Sequence, residues 1–221
     1  MNLLNYLNNS KIDSIGFDSI YLEKPVSKLI DFDWKSILES PPDNSSNTTF
    51  KELELISKET KNRTKQDTEL VHKIDQDLDT PFILLLNRYK IKYPKDYIDL
   101  FYDIIKPVLL NTKAYWNRPR PKQLADFYNI DIDLILTDTT HTASYPSGHT
   151  VYSNLVALIL EDLFDQINTR ELSNIVSTTA RARTIQGVHY PSDHKASLIF
   201  SKALFNKLQP KLRKYYNETI H

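Results

Sequence analysis

The chain has 221 residues, 40% of them hydrophobic, and carries 28 Lys plus Arg against 28 Asp plus Glu. That length and apolar content suit one domain with a substantial core, and a formal charge of zero removes the global basicity that nucleic acid or an anionic membrane would favour. Cysteine is absent, which excludes disulfides, thiolate metal sites and a cysteine nucleophile.

The opening "MNLLNYLNNSKIDSIGF" lacks a basic segment followed by a clean apolar run, so no signal peptide is expected. Residues 1–45 are expected to form an N-terminal arm or peripheral helices of a single domain spanning 1–221, with Phe17, Ile20, Leu22 and Trp34 available for packing. Glu39 to Thr49, two prolines followed by polar turn formers, reads as a loop. Phe50 to about Thr60 reads as a helix with Leu53 and Ile56 inward. Arg63 to Tyr89 reads as one or two helices, with Leu70, Ile74 and Leu78 at four-residue spacing and Pro81 opening a new first turn. Asp96 to Leu110 carries Ile98, Phe101, Ile105, Val108 and Leu109, and Pro107 is expected to bend or interrupt it. Thr150 to Phe164 and Arg170 to Ile185 are further helices. A last one runs from Asp193 to Leu208, capped by Ser192, with Ala196, Ile199, Phe200, Ala203 and Leu204 inward and Pro210 closing it. Only Asp131 to Thr137 tempts a strand assignment. An all-α, single-domain helical bundle follows. The longest apolar runs, Phe82 to Leu86 and Leu155 to Leu160, fall far short of the ~20 residues that span a bilayer, so a soluble, cytoplasmic protein is expected.

Three polar clusters stand out against this background. Lys113, Arg118 and Arg120 lie within eight residues, and Pro119 and Pro121 stiffen the backbone between and after the arginines. Guanidinium forks match phosphate or carboxylate, although a solvated basic loop would look the same. "PSGH", Pro146 to His149, opens the helix that follows. Unpaired amides and the helix dipole at such an end attract anions, with Ser147 adding a hydroxyl and Gly148 allowing close approach. A routine helix cap explains the serine and glycine but not the histidine. In "RARTIQGVHYPSD", Asp193 lies four residues after His189 and can hold one ring nitrogen, leaving the other free. A local exposed pair is the plainer reading. The chain has only six histidines and three glycines, and two of each fall in these clusters. Phosphoryl transfer needs such parts: cations and amides for the oxygens, a nucleophile and a proton donor.

The three clusters together resemble the signature of the phosphatidic-acid-phosphatase type 2 (PAP2) superfamily, which includes soluble class A nonspecific acid phosphatases and vanadium haloperoxidases. K-x6-R-P is matched by Lys113 to Pro121, P-S-G-H by Pro146 to His149, and S-R-x5-H-x3-D by Arg183, His189 and Asp193, with Ala182 in place of the usual serine. The wording "YPSGHT" and "GVHYPSD" is similar to that of the soluble acid phosphatases, and "SPPDNSS" resembles a proline-rich segment upstream in them. The resemblance implies a helical bundle that hydrolyses phosphate monoesters without a metal or other cofactor. Lys113, Arg120, Arg183, Ser147 and the Gly148 amide would bind the phosphate. His189 would attack phosphorus, Asp193 would orient it, and His149 would protonate the leaving group and then activate water. Tyr115, Trp116, Arg118 and Tyr145 are candidate walls of a leaving-group pocket, with core packing, or for Arg118 a place outside the pocket, as the alternative. Arg181 is expected in a salt bridge at the rim and His194 at an exposed helix start.

Two other functions remain open at this point. A vanadate-dependent haloperoxidase would bind vanadate in the same pocket, and a catalytically silent phosphate-binding module would keep the pocket without turnover. A zinc site of His141, His149 and His189 lacks compact ligand spacing. The expected partner is a small phosphorylated substrate rather than nucleic acid, and homo-oligomers are common in the family.

Overall fold

A computed structural model describes residues 33–137 and 139–219; Phe17, Ile20, Leu22 and most of the expected N-terminal arm lie outside the described residues. After a 3-10 turn at Trp34–Ser36, eight helices follow: α1 Asn47–Lys61, α2 Lys65–Gln76, α3 Thr80–Arg88, α4 Lys95–Trp116, α5 Pro121–Ala125, α6 Gly148–Leu163, α7 Thr169–Ile185 and α8 Pro191–Thr219. No strand occurs among the described residues, and the architecture is an all-α helical bundle. Asp131 to Thr137 has no regular structure and is tied down by the Ile135 amide on the Gln186 carbonyl at 3.1 Å.

Helix α6 occupies the centre. Every residue from Leu155 through Leu160 is buried, as are Thr150 to Ser153, the all-round burial of a core helix. Its main partners are α7 and α8, with α4 closing another side. A second, smaller core joins Leu53 and Ile56 of α1 to Leu124 and Ala125 of α5, Ile132 and Tyr190.

Both internal prolines are tolerated. Helix α4 runs through Pro107 and α8 runs through Pro210 to Thr219, where the sequence predicted a bend or interruption at the first and a stop at the second. Each proline withdraws one N–H from the carbonyl four residues earlier. Those residues, Asp103 and Asn206, are exposed, so water can serve the freed carbonyls. Packing continues beyond Pro210, with Leu212 buried, Tyr216 against Tyr97 at 4.5 Å and Arg213 paired to Asp162 at 2.6 Å. The inward face of α8 is Ala196, Phe200, Leu204, Leu208 and Leu212, a strict four-residue repeat, while Ile199 is 46% exposed.

Helix ends place the polar clusters. A capping box of Thr64 and Asp67 starts α2, and Arg181 of α7 holds Asp67 at 2.8 Å. Helix α7 ends at Gly187, φ +88°, with the Gly187 amide on Thr184 O (2.9 Å) and the Val188 amide on Arg183 O (3.2 Å), a Schellman closure. A Cβ at Gly187 would lie 2.9 Å from Ile132. This turn reverses the chain directly after Arg183 and delivers His189 beside it.

Candidate active site

Lys113 leaves the last turn of α4 into the interior, where only 4% of it is exposed, and Nζ donates to Ala143 O at 2.7 Å. Asn117, in the left-handed region at φ 38°, ends the helix. Arg118 and Arg120 each precede a proline, a position that disfavours helical backbone, and Arg120 is extended (φ −71°, ψ 156°) with Pro121 as the first residue of α5. The two arginines bracket one pair. Arg118 NH1 reaches Asp193 Oδ1 at 2.7 Å, whereas Arg120 NH1 lies 3.2 Å from His189 Nε2 and donates to Val188 O at 3.0 Å. Arg120 Nε donates to Thr142 O at 2.9 Å.

The His189 tautomer follows from these partners. A guanidinium only donates, so Nε2 accepts from Arg120. The ring proton therefore sits on Nδ1 and points to Asp193 Oδ2 at 3.1 Å. The same carboxylate oxygen accepts from Ser144 Oγ at 2.5 Å and from the Tyr190 amide at 3.0 Å. Both residues are essentially buried. Burial opposes the Asp193 charge, but Arg118 first, then His189 and Ser144, hold its pKa well below the usual carboxylate range. Burial, then Arg120, holds His189 well below an ordinary imidazole, against the pull of Asp193.

Arg183, 1% exposed, comes from the last turn of α7. NH1 meets Asp75 Oδ1 at 2.6 Å and NH2 donates to Thr139 Oγ1 at 3.0 Å, while the buried Nε has no partner. Asp75, at the end of α2, also accepts from Thr137 (3.0 Å) and Thr139 (2.5 Å), and lies 3.7 Å from His149 Nε2. Burial raises the Asp75 pKa, and the hydrogen bonds from Thr139 and Arg183 outweigh it to leave a net lowering. Burial and Arg183 push His149 down to about 3, with Asp75 opposing.

Ser147 is the N-cap residue of α6, yet its side chain does not cap; its Oγ accepts from Thr150 Oγ1 at 3.2 Å. The first-turn amides, starting with Gly148, are thus left without that partner. Gly148 has ordinary backbone geometry, as Gly187 is the only positive-φ glycine among the described residues. A Cβ on it would meet Leu109 at 3.7 Å and the Lys113 Cε at 3.9 Å.

Of these groups, Lys113, Gly148, His149, Asp75 and Thr139 line a cleft of about 690 Å³ together with Leu109 and His141, whereas Arg120, Ser147, Arg183, His189 and Asp193 are buried and do not line it. Cations crowd here: burial, then Arg120 and Arg183, lower Lys113 well below its ordinary value, and burial and then Arg183 bring Arg120 down to about 9. Three buried cations, an orphan guanidinium N–H and a helix N-terminus form a site that an oxyanion would relieve of both repulsion and unmet hydrogen bonds.

The structure brings together Lys113, Arg120, Ser147, Gly148, His149, Arg183, His189 and Asp193. It sets apart the four candidate pocket-wall residues, none of which lines the cleft. Arg118 is wholly buried behind Asp193. Tyr115, 56% exposed, and Trp116 join Trp34 in an aromatic cluster, and Tyr145 packs on Trp116 while its hydroxyl donates to Glu39 O at 2.8 Å. The cleft walls are instead Leu78, Tyr102, Lys106, Leu110, His141 and Tyr152. His194 is 8% exposed rather than surface-lying, held between Thr150 (2.8 Å) and Thr184 (3.1 Å). Asp75, Ser144 and Thr139 were not singled out by sequence. They come from a helix end and an irregular loop, where no spacing marks them. No group of three potential metal ligands stands together among the described residues.

A helical bundle with a buried histidine–carboxylate pair facing a cationic anion site is the class of protein the fold and geometry define. Residues 100–209 match the PAP2 superfamily, which supports membership of that superfamily through this segment. A stretch of 102 residues is 32% identical to a non-specific acid phosphatase of Salmonella typhi, covering 45% of this chain and 39% of that protein, so the chain spans about two-fifths of this curated relative. The fold is shared with the crystal structure of a transmembrane PAP2 type phosphatidylglycerolphosphate phosphatase from Bacillus subtilis, with a TM-score of 0.52 and 18% identity over 77% of this chain and 89% of that one. No helix among the described residues is long and apolar enough to cross a membrane.

Proposed function

We propose that this chain hydrolyses phosphate monoesters through a phosphohistidine. The observation that carries the reading is the His189 tautomer: Nδ1–H is committed to Asp193, so the basic lone pair is on Nε2, which accepts from Arg120 at 3.2 Å. The phosphate would take Arg120, Lys113 and Arg183 away from the carbonyls and carboxylate that they now contact, and would accept from the Gly148 amide and Ser147. His189 Nε2 then attacks phosphorus as the P–O ester bond breaks. The leaving oxygen takes its proton from His149, which lies in the cleft beside Asp75. Water attacks the phosphohistidine next, His149 accepts its proton, and the P–N bond breaks to free orthophosphate. Cations and amides stabilise charge in both transition states.

His149 is neutral in the empty site because burial and three cations hold it down. A bound phosphate offsets those cations, and Asp75 then favours the protonated ring, so substrate arrival itself loads the general acid.

The test is hydrolysis of an aryl phosphate in the presence of EDTA, with rapid quench to trap an acid-labile phosphoenzyme. Turnover with label on His189 is expected. Activity unchanged in His189→Ala would overturn the mechanism. Bromide oxidation with vanadate and peroxide in place of hydrolysis would favour the haloperoxidase, and orthophosphate binding without turnover across a broad substrate panel would favour the binding module.

A further inference from the structure

Behind the histidine–carboxylate pair lies a second layer of charge. The Arg118 side chain is 0% exposed. One arm, NH1, donates to Asp193 Oδ1 and to Ser192 Oγ, both at 2.7 Å, and the other, NH2, donates to Glu52 Oε2 at 3.1 Å. Its guanidinium carbon sits 3.8 Å from the centre of the Tyr190 ring. Glu52, on α1, in turn accepts from the Ser192 amide at 2.6 Å and the Ser192 hydroxyl at 2.8 Å. Glu52 thereby supplies the cap that the sequence assigned to Ser192, at the start of the helix carrying Asp193. It lies outside the family-matched segment, which begins at residue 100.

We propose that Glu52 and Arg118 are positioning residues that set, in opposite directions, how strongly Asp193 draws the proton of His189. The inference rests on His189 being the nucleophile. Arg118 shares the negative charge of Asp193 and so weakens Asp193 as an acceptor for Nδ1–H. Glu52 draws the same guanidinium toward itself and returns part of that charge to Asp193. The chain Glu52, Arg118, Asp193, His189 thus alternates in sign from α1 to the nucleophile. A purely structural brace would need neither alternation nor charge, and a buried ion pair is a poor way to gain stability alone.

The other charged or titratable groups facing His189 stay constant when these two are changed. They are Lys113 on α4, Arg120 at the start of α5, and His194 on α8 with its ring 5.8 Å away. Arg183 with Asp75, and His149, complete the charged wall, and the buried Tyr145 and Tyr190 phenols are kept protonated by burial.

The experiment compares full-length Glu52→Gln, Arg118→Gln and the double variant. In the resting protein, the His189 Nδ1–H proton resonance is expected to move upfield in Glu52→Gln and downfield in Arg118→Gln, with the double variant between them. In aryl phosphate hydrolysis the acid limb of kcat/KM is expected to fall in pH for Glu52→Gln and to rise by about one pH unit for Arg118→Gln, with kcat lowered and KM within about twofold in both. Shifts of the same sign, or none, overturn the proposal. If Arg118→Gln does not fold, the isosteric Glu52→Gln decides alone: an upfield move supports the relay, and no move or a downfield one ends it. The resonance needs no turnover, so this outcome is separable from a failure of the nucleophile assignment, which His189→Ala reports.

Discussion

Asp75→Asn should tighten the binding of orthophosphate while slowing turnover. The Asp75 carboxylate lies 2.6 Å from the Arg183 guanidinium, so a phosphate on that guanidinium shares it with a like charge. Two such anions on the order of 5 Å apart repel by about 3 kcal/mol at an effective dielectric near 20. Keeping half of that for relaxation and water leaves ~1.5 kcal/mol, or about tenfold in affinity. The free protein pushes the same way, because without Asp75 the buried Arg183 lacks its anion until phosphate arrives. Catalysis suffers because His149, 3.7 Å from Asp75, loses the charge that favours its protonated form. Titration calorimetry with orthophosphate is therefore expected to show about tenfold tighter binding, and kcat for an aryl phosphate to fall by about tenfold or more. Unchanged or weaker phosphate binding would refute the view that Asp75 competes with the substrate for Arg183.

Two further outcomes follow from the same geometry. Burial holds His149 to about 3, His194 to about 4 and His189 well below its ordinary value; the unfolded chain therefore binds more protons between those values and about 6.5, and each such histidine adds a slope of about 1.4 kcal/mol per pH unit. Urea unfolding at pH 5 should give a stability lower than at pH 7 by roughly 2 kcal/mol or more, and a flat profile would contradict the buried neutral rings. Gly148→Ala should keep or raise Tm, since its Cβ would meet only ordinary contacts at 3.7 and 3.9 Å and alanine favours a helix over glycine by about 0.5–1 kcal/mol. The same methyl stands between Lys113 and the α6 N-terminus, so orthophosphate binding should weaken by about tenfold; an equal fall in Tm would make the glycine structural.

Much of the architecture was legible in the pattern of apolar residues. Leu53 and Ile56, or Ile98, Phe101 and Ile105, repeat at helical spacing and are buried as that spacing requires. Helix ends were less legible where proline was read as a stop. Whether Pro107 or Pro210 breaks a helix depends on whether the freed carbonyl is exposed and whether the next turn has something to pack on. Neither is a local property. The exposed Ile199 teaches the same lesson, because one residue of rotation along α8 decides which of two adjacent apolar positions meets the core.

By itself the sequence determined an all-α bundle and the ingredients of an anion site, since helical periodicity and rare residues such as His149, Gly148 and His189 are local facts. Only the tertiary structure decided the partners. It sent Arg118 behind Asp193 and Arg120 in front of His189, although the two arginines are two residues apart. It moved the aromatic residues Tyr115, Trp116 and Tyr145 away from the cleft, and brought in Asp75 and Glu52 from helices whose sequences carry no such signal. Charges act through space, and a buried carboxylate is paired by whichever helix end reaches it. In this chain the electrostatics of the site depends on contacts 66 and 108 residues apart, Glu52 with Arg118 and Asp75 with Arg183.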